Sequence, residues 1–160
     1  MDFDLAITNA RILDGTGKPA WWGQVGIRGE TIGHVGPAGP LAARRTIDAD
    51  GLVVCPGFFD VHTHSDLMLL AEPRASAKLM QGCTTELIGQ DGLSYAPLTG
   101  ESLPFFRNGL KALNGDPEGL EWDWRTVGEF LDRFDRRTAV NVAMLAPHGN
   151  LRAAVVGLEN

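Results

Sequence analysis

"PGFFDVHTHSD", residues 56–66, decides how the rest of the chain is read. It sets two histidines one residue apart at the end of an apolar run, with Asp60 and Asp66 on either side. Side chains two apart share a face on a strand, whereas on a helix they diverge by about 200°. The aromatic and β-branched residues, and the Pro-Gly before them, predict a strand. On such a strand His62 and His64 lie on one face with Phe58 and Asp60, and Phe59, Val61 and Thr63 take the other. The nearly continuous apolar character predicts burial on both faces of a parallel sheet. Two imidazoles on adjacent same-face positions can coordinate one cation. Asp60, one pleat below, is placed to hold an imidazole N–H. The competing reading is that His-X-His arises by chance as polar filler at a strand end. The strand context and the two flanking carboxylates favour a metal site.

Downstream of this stretch the pattern alternates strand and helix. Pro73 stands where a helix can begin, "RASAKLM" is rich in helix formers, and Gly82 is placed as its C-terminal stop. "TTELIG" (residues 84–89) reads as a second strand leading into the loop "QDGLSYAPL". Thr126 and Glu129 form a capping box ahead of Val127, Phe130, Leu131 and Phe134 at helical spacing. Arg133, Arg136 and Arg137 fall near that helix's C-terminal end, where the dipole favours cations. "VNVAMLA" is a third strand, and "PHGN" leaves it as a loop. Such repetition predicts βα units around a parallel sheet. Residues 101–125, with Gly-polar turns and two tryptophans, show no assignable element.

Upstream, the chain reads as short strands. In "FDLAITN", Phe3, Leu5 and Ile7 alternate with Asp2, Asp4 and Ala6, the pattern of a half-buried strand. "WWGQVGIR" and "TIGHVG" predict a hairpin across the turn at Gly29, and "RTIDADGLVV" a strand, a turn and a strand. The expected organisation is therefore a small β-rich portion over residues 1–56, then the first βα units of a barrel over residues 57–160. Those 104 residues hold three βα steps, whereas an eightfold barrel needs about 250 residues. Three open-edged strands also make a poor finished sheet. The sequence is thus expected to be the N-terminal piece of a larger enzyme.

The formal charge is −6 and 44% of residues are apolar, an ordinary globular composition. The only basic cluster is "RFDRR", which argues against nucleic acid as the main partner. The start "MDFDLAI" lacks the order of a signal peptide, and no apolar run approaches the roughly 20 residues of a membrane helix. Two cysteines, Cys55 and Cys83, are too few for a disulfide framework. A cytoplasmic protein acting on a small molecule is expected.

"PGFFDVHTHSD" resembles the first metal motif of the amidohydrolase superfamily. "QGCTTELIGQDGLSYAPL" and "VNVAMLAPHGNLR" are similar to the D-aminoacylase (N-acyl-D-amino-acid deacylase) branch. The resemblance runs from the opening strands to the end of the chain. It implies an α/β protein: a distorted TIM (β/α)8 barrel preceded by a small composite β domain. It also implies a metal-dependent amide hydrolase that deacylates N-acyl-D-amino acids, with a cyclic amidohydrolase of hydantoinase or dihydroorotase type, or a non-catalytic scaffold, as alternatives. The histidines matching the family's motif, His62 and His64, are its metal ligands. The remaining histidine ligands and the catalytic aspartate come from later strands, so the general acid/base is expected beyond residue 160 and this segment alone is expected to be inactive.

One position departs from the family. Its loop after the second strand reads Gly-Asn-Cys-Gly, with the cysteine as ligand; here it reads Gly89-Gln90-Asp91-Gly92. Asp91 takes the cysteine's place as a third candidate ligand, although Asp-Gly is also a strong turn signal. Zinc is the expected metal; because a carboxylate is harder than a thiolate, zinc loses some preference here and manganese, iron or cobalt gain as alternatives. Cys55 and Cys83 precede the first two barrel strands, far from the site, and are expected to be buried structural thiols. His148 follows the third strand at the active face, as a contact to substrate or to the ligands or as a turn cap. His34 is expected on an exposed strand and Tyr95 as a packed rim aromatic. Glu86 is expected to be structural, and Lys78 to point outward.

Overall fold

The structure, a computed structural model, describes residues 2–159. It divides into two compact units, Met1–Pro56 and Gly57–Asn160.

The first unit is a five-stranded sheet. Strands β1 (Phe3–Ile12), β2 (Trp21–Arg28) and β3 (Thr31–Gly36) form an antiparallel meander. β4 (Ala43–Asp48) and β5 (Val53–Val54) both run parallel to β1. The β2–β3 hairpin stands where the sequence predicts it. The alternation along β1 does not hold throughout. The register with β2 shifts between Ile7 and Ala10, and Asn9 adopts a left-handed backbone (φ 51°) there. One extra residue at such a bulge inverts which side chains face inward. Ile7 before it and Ala10 and Ile12 after it therefore meet the same small core, with Val25 and Ala49. His34 is half-buried beside Phe3, not exposed as expected, because the Phe3 ring shelters that side of β3.

The second unit carries three parallel strands in the order β6 (Phe58–Asp60), β7 (Cys83–Ile88), β8 (Asn141–Met144). The helices between them are α1 (Met68–Ala71), α2 (Ser76–Leu79), α3 (Ser102–Asn114) and α4 (Val127–Asp132); α5 (His148–Val156) follows β8. α1, unforeseen in the sequence, is a single turn, and α2 begins three residues beyond Pro73. Gly82 does close the segment, at φ 84°.

The region without an assignable element is mostly α3. Ser102, Phe106, Leu110 and Asn114 recur every fourth residue and form its buried face. Pro104, Asn108 and Gly109 weaken the local helix signal, and tertiary packing overrides it. Trp122 and Trp124 then pack with Tyr95, Phe130 and Phe134 as a chain of ring contacts at 5.1–5.4 Å. Trp124 Nε1 donates to Tyr95 O at 2.6 Å, so the indole enters the core with its polar atom satisfied. Tyr95 is fully buried in this cluster.

α4 has the predicted capping box. Glu129 N donates to Thr126 Oγ1 at 3.1 Å, and Thr126 N donates to Glu129 Oε2 at 2.9 Å. Phe130 on this helix and Phe134 just beyond its end both join the core. With only six residues, this helix depends on its cap and that packing more than on propensity. Thr126→Ala is expected to destabilise it by about 1 kcal/mol. Hydrogen exchange of its first-turn amides should rise about fivefold; unchanged exchange would show the cap to be dispensable.

The cysteines differ from expectation. Cys55 is exposed and Cys83 half-buried, both as free thiols. Cys55 follows the two-residue strand β5 in open coil, and Cys83 opens β7 at the sheet margin opposite Phe58. Neither position is enclosed by a core. Phe58, Phe59 and Val61 are exposed as well, because β6 is an edge strand of the three described here. Among the described residues no helix is long and apolar enough to cross a membrane.

Candidate metal centre

His62, His64 and Asp91 come together beyond the C-terminal ends of β6 and β7, each offering one ligand atom, with these atoms within 4.8 Å of one another. Asp91 Oδ2 lies 3.2 Å from His64 Nε2 and 3.8 Å from His62 Nε2. The two imidazoles meet edge to face, with centroids 5.6 Å apart. His64 is largely enclosed, its side chain 18% exposed, whereas those of His62 and Asp91 are about 60% exposed.

The histidines converge by a different route from the expected one. β6 ends at Asp60, and the chain bends at His62. Strand alternation therefore does not carry through the motif, and Asp60 and Thr63, expected on opposite faces, both meet Lys78. Side chains replace the missing ladder bonds. His62 N donates to Asp60 Oδ1 at 3.2 Å. Gln90 Nε2 donates to Val61 O at 2.8 Å and to Leu87 O at 2.7 Å, joining the histidine segment to the end of β7. Asp60 was expected to hold an imidazole N–H; among the described residues its carboxylate instead accepts from the main-chain N–H of His62 and from Lys78. Its acidity is enhanced chiefly by the hydrogen bond from Lys78.

Asp91 is aimed by its backbone. Gly89, Asp91 and Gly92 all adopt left-handed conformations (φ 76°, 57° and 74°) around a single 3-10 turn, Gln90–Gly92. A Cβ at Gly89 would stand 2.7 Å from Leu145 O, so glycine is required there on both steric and conformational grounds. Asp91 is both a turn residue and a member of the cluster, so the two sequence readings are not exclusive. Asp tolerates this backbone better than most residues.

Behind the turn lies a buried polar network. Ser94 N donates to Asn150 Oδ1, and Asn150 Nδ2 donates to Ser94 O, both at 2.9 Å. Ser94 Oγ donates to Asp66, which is fully buried along with Asn150. Burial raises the Asp66 carboxyl above its ordinary range, against the Ser94 hydroxyl that stabilises its ionised form. In the sequence, Asn150 is marked only as part of "PHGN", beside the more conspicuous His148. His148 opens α5 as an exposed residue, its main chain against Gly92, and does not join the three-residue group.

The donor chemistry fits a divalent cation. Two imidazoles and a carboxylate suit zinc, manganese, iron(II) or cobalt(II). Ligand atoms around a tetrahedral ion at about 2.0–2.1 Å stand roughly 3.3 Å apart. The His64–Asp91 separation already has that value, and His62 needs a small inward rotation, which its exposure permits.

The profile of the amidohydrolase family matches residues 45–158. D-aminoacylase of Alcaligenes xylosoxydans xylosoxydans is 36% identical over 156 residues, which are 96% of this chain and 31% of that protein. A crystal structure of D-aminoacylase, described as defining a novel subset of amidohydrolases, superposes with a TM-score of 0.78 at 35% identity, covering 96% of this chain and 31% of that one. N-acyl-D-glutamate deacylase from Bordetella bronchiseptica, complexed with zinc and a phosphonate mimic of the tetrahedral intermediate, gives 0.77 at 34% identity, covering 99% and 32%. The chain therefore spans about a third of the length of the relatives it matches. Its fold is that of the D-aminoacylases over this span: α/β, with a β-rich portion followed by βα units of a distorted TIM barrel.

Proposed function

The chain belongs to the amidohydrolase family, and from that premise we propose that the protein carrying it is a metal-dependent hydrolase of N-acyl-D-amino acids. The observation that carries the proposal is the convergence of His62, His64 and Asp91. It lies in a fold shared with a zinc-containing deacylase. These three residues hold the cation: zinc, or a harder ion such as manganese, iron(II) or cobalt(II), to which the Asp91 carboxylate is suited. The bound ion supplies Lewis-acid polarisation of an amide carbonyl and a water made nucleophilic near neutral pH.

Within this chain, His64 provides the fixed ligand and His62 the adjustable one. Asp91 contributes negative charge that attracts the cation, and Asp60 and Gln90 hold the histidine segment by its main chain. Hydrolysis breaks the C–N bond, forms a C–O bond with water and returns a proton to the departing amine. The substrate is a small molecule. We place the protein in the cytoplasm, where an exposed free thiol such as Cys55 stays reduced.

The test uses the full protein that carries this segment and paired N-acetyl-D and N-acetyl-L amino acids. Amino-acid release is expected from the D series only, lost on chelation and regained on adding zinc or manganese. Release from the L series would overturn the substrate assignment. Release from neither, with metal bound, would favour a cyclic amide; release from neither, without bound metal, would favour a non-catalytic scaffold.

A further inference from the structure

We propose that Lys78 is a positioning residue for the candidate metal centre, holding the bend that carries His62 and His64. The inference rests on the metal assignment made above. Lys78 was expected to point outward, but α2 presents it to the sheet. The helix is entered through Ala75 in a left-handed backbone (φ 45°), a conformation that a non-glycine residue keeps only where its surroundings hold it.

Lys78 Nζ donates to Asp60 Oδ2 and, at 3.2 Å, to Thr63 Oγ1, and lies 3.9 Å from Glu86 Oε2. It therefore grips the chain on both sides of His62. Thr63 Oγ1 in turn donates to Ser65 Oγ at 3.2 Å, and Ser65 Oγ to Glu86. Glu86 is fully buried on the central strand β7, and its Oε1 has no partner among the described residues. The path from β7 through Glu86, Lys78 and Ser65 thus reaches residues 60, 63 and 65, interleaved with the two histidines.

The segment needs such a hold because β6 pairs with β7 only as far as Asp60. Beyond it, residues 61–65 are tied by Gln90 at Val61, by Asp60 at His62 N, and by this network. The exposed His62 ring gains little fixation from packing, so its direction must come through the main chain. A bend held at both ends pre-organises the two imidazoles toward one ion. Loss of groups that orient metal ligands typically weakens metal binding about 10- to 100-fold.

The experiment titrates cobalt(II) into the metal-free full protein, reading affinity and the d–d absorption bands that report ligand geometry. Lys78→Gln is expected to weaken cobalt binding by about tenfold or more and to alter the bands, with the far-UV circular dichroism unchanged. Lys78→Arg, which keeps charge and donors, should stay closer to the parent. Because a lone substitution leaves the buried Glu86 carboxyl group uncompensated, Lys78→Met is also combined with Glu86→Gln. That double variant should fold and show the same loss. Parental affinity and bands in the folded double variant would overturn the positioning role while leaving the metal assignment intact. If both variants failed to fold, Lys78 would be a structural residue and the proposal would fall. A parent protein that bound no cobalt would overturn the metal assignment itself, and the positioning role with it.

Discussion

His64→Ala in the full protein is expected to lower kcat/KM for the proposed N-acyl-D-amino acid substrate by at least about 1,000-fold and to strip the proposed centre of metal. Lewis-acid assistance is worth several kcal/mol of transition-state stabilisation. About 4 kcal/mol corresponds to a factor of roughly 1,000. His62→Ala should do less, because the two histidines are not equivalent. His64 is the enclosed ligand and already stands 3.2 Å from Asp91, whereas His62 is exposed and 3.8 Å away. Water can replace an exposed ligand more easily than an enclosed one. Metal content by elemental analysis, together with kcat/KM at saturating metal, separates loss of the ion from loss of its orientation. A His64→Ala protein that kept both metal and activity would remove the cluster from the mechanism. Equal losses in the two variants would instead show that His62 is drawn into the centre as firmly as His64.

The sequence made legible whatever rests on short-range periodicity and turn chemistry. The β2–β3 hairpin, the Thr126–Glu129 capping box and β7 and β8 all follow from local pattern, and the structure has them. The pairing of His62 with His64 was legible from strand alternation, but the backbone does not sustain that alternation. Strand alternation stops at Asp60, and a side-chain scaffold brings the imidazoles together instead. That scaffold could not be seen, because its members are distant in sequence: Lys78 is 18 residues from Asp60, and Gln90 is 29 from Val61. A lysine in a short helical segment reads as solvent-facing by default, since the cost of burying an amine is apparent but its partners are not. α3 was hidden by Pro104 and Gly109, which lie on its exposed side and whose local preference is outweighed by the burial of Phe106 and Leu110 on the other. At Asn9 a single bulged residue reversed the facing of β1, a change that composition does not encode.

Asn150→Ala should destabilise the protein by about 3 kcal/mol. Asn150 is fully buried and bonds both main-chain groups of Ser94. Its removal strands a buried N–H and a buried C=O, each worth roughly 1–3 kcal/mol when left unsatisfied, and leaves a small void. The loss falls where it matters chemically, because Ser94 lies three residues beyond Asp91 and gives its hydroxyl to Asp66, two residues beyond His64. Loosening Ser94 therefore frees the turn that aims one ligand and the segment that carries another. Hydrogen exchange over residues 92–96 should accelerate by about 100-fold, and metal affinity should fall with it. Asn150→Asp discriminates between loss of bonds and loss of volume. It keeps the acceptor for Ser94 N, loses the donor to Ser94 O, and sets a second carboxyl group on the residue that already contacts buried Asp66. If polar satisfaction holds this loop, Asn150→Asp is at least as damaging as Asn150→Ala despite its closer shape, because its added carboxylate cannot be hydrated there. If Asp is instead tolerated and Ala is not, packing volume holds the turn and its hydrogen bonds are incidental.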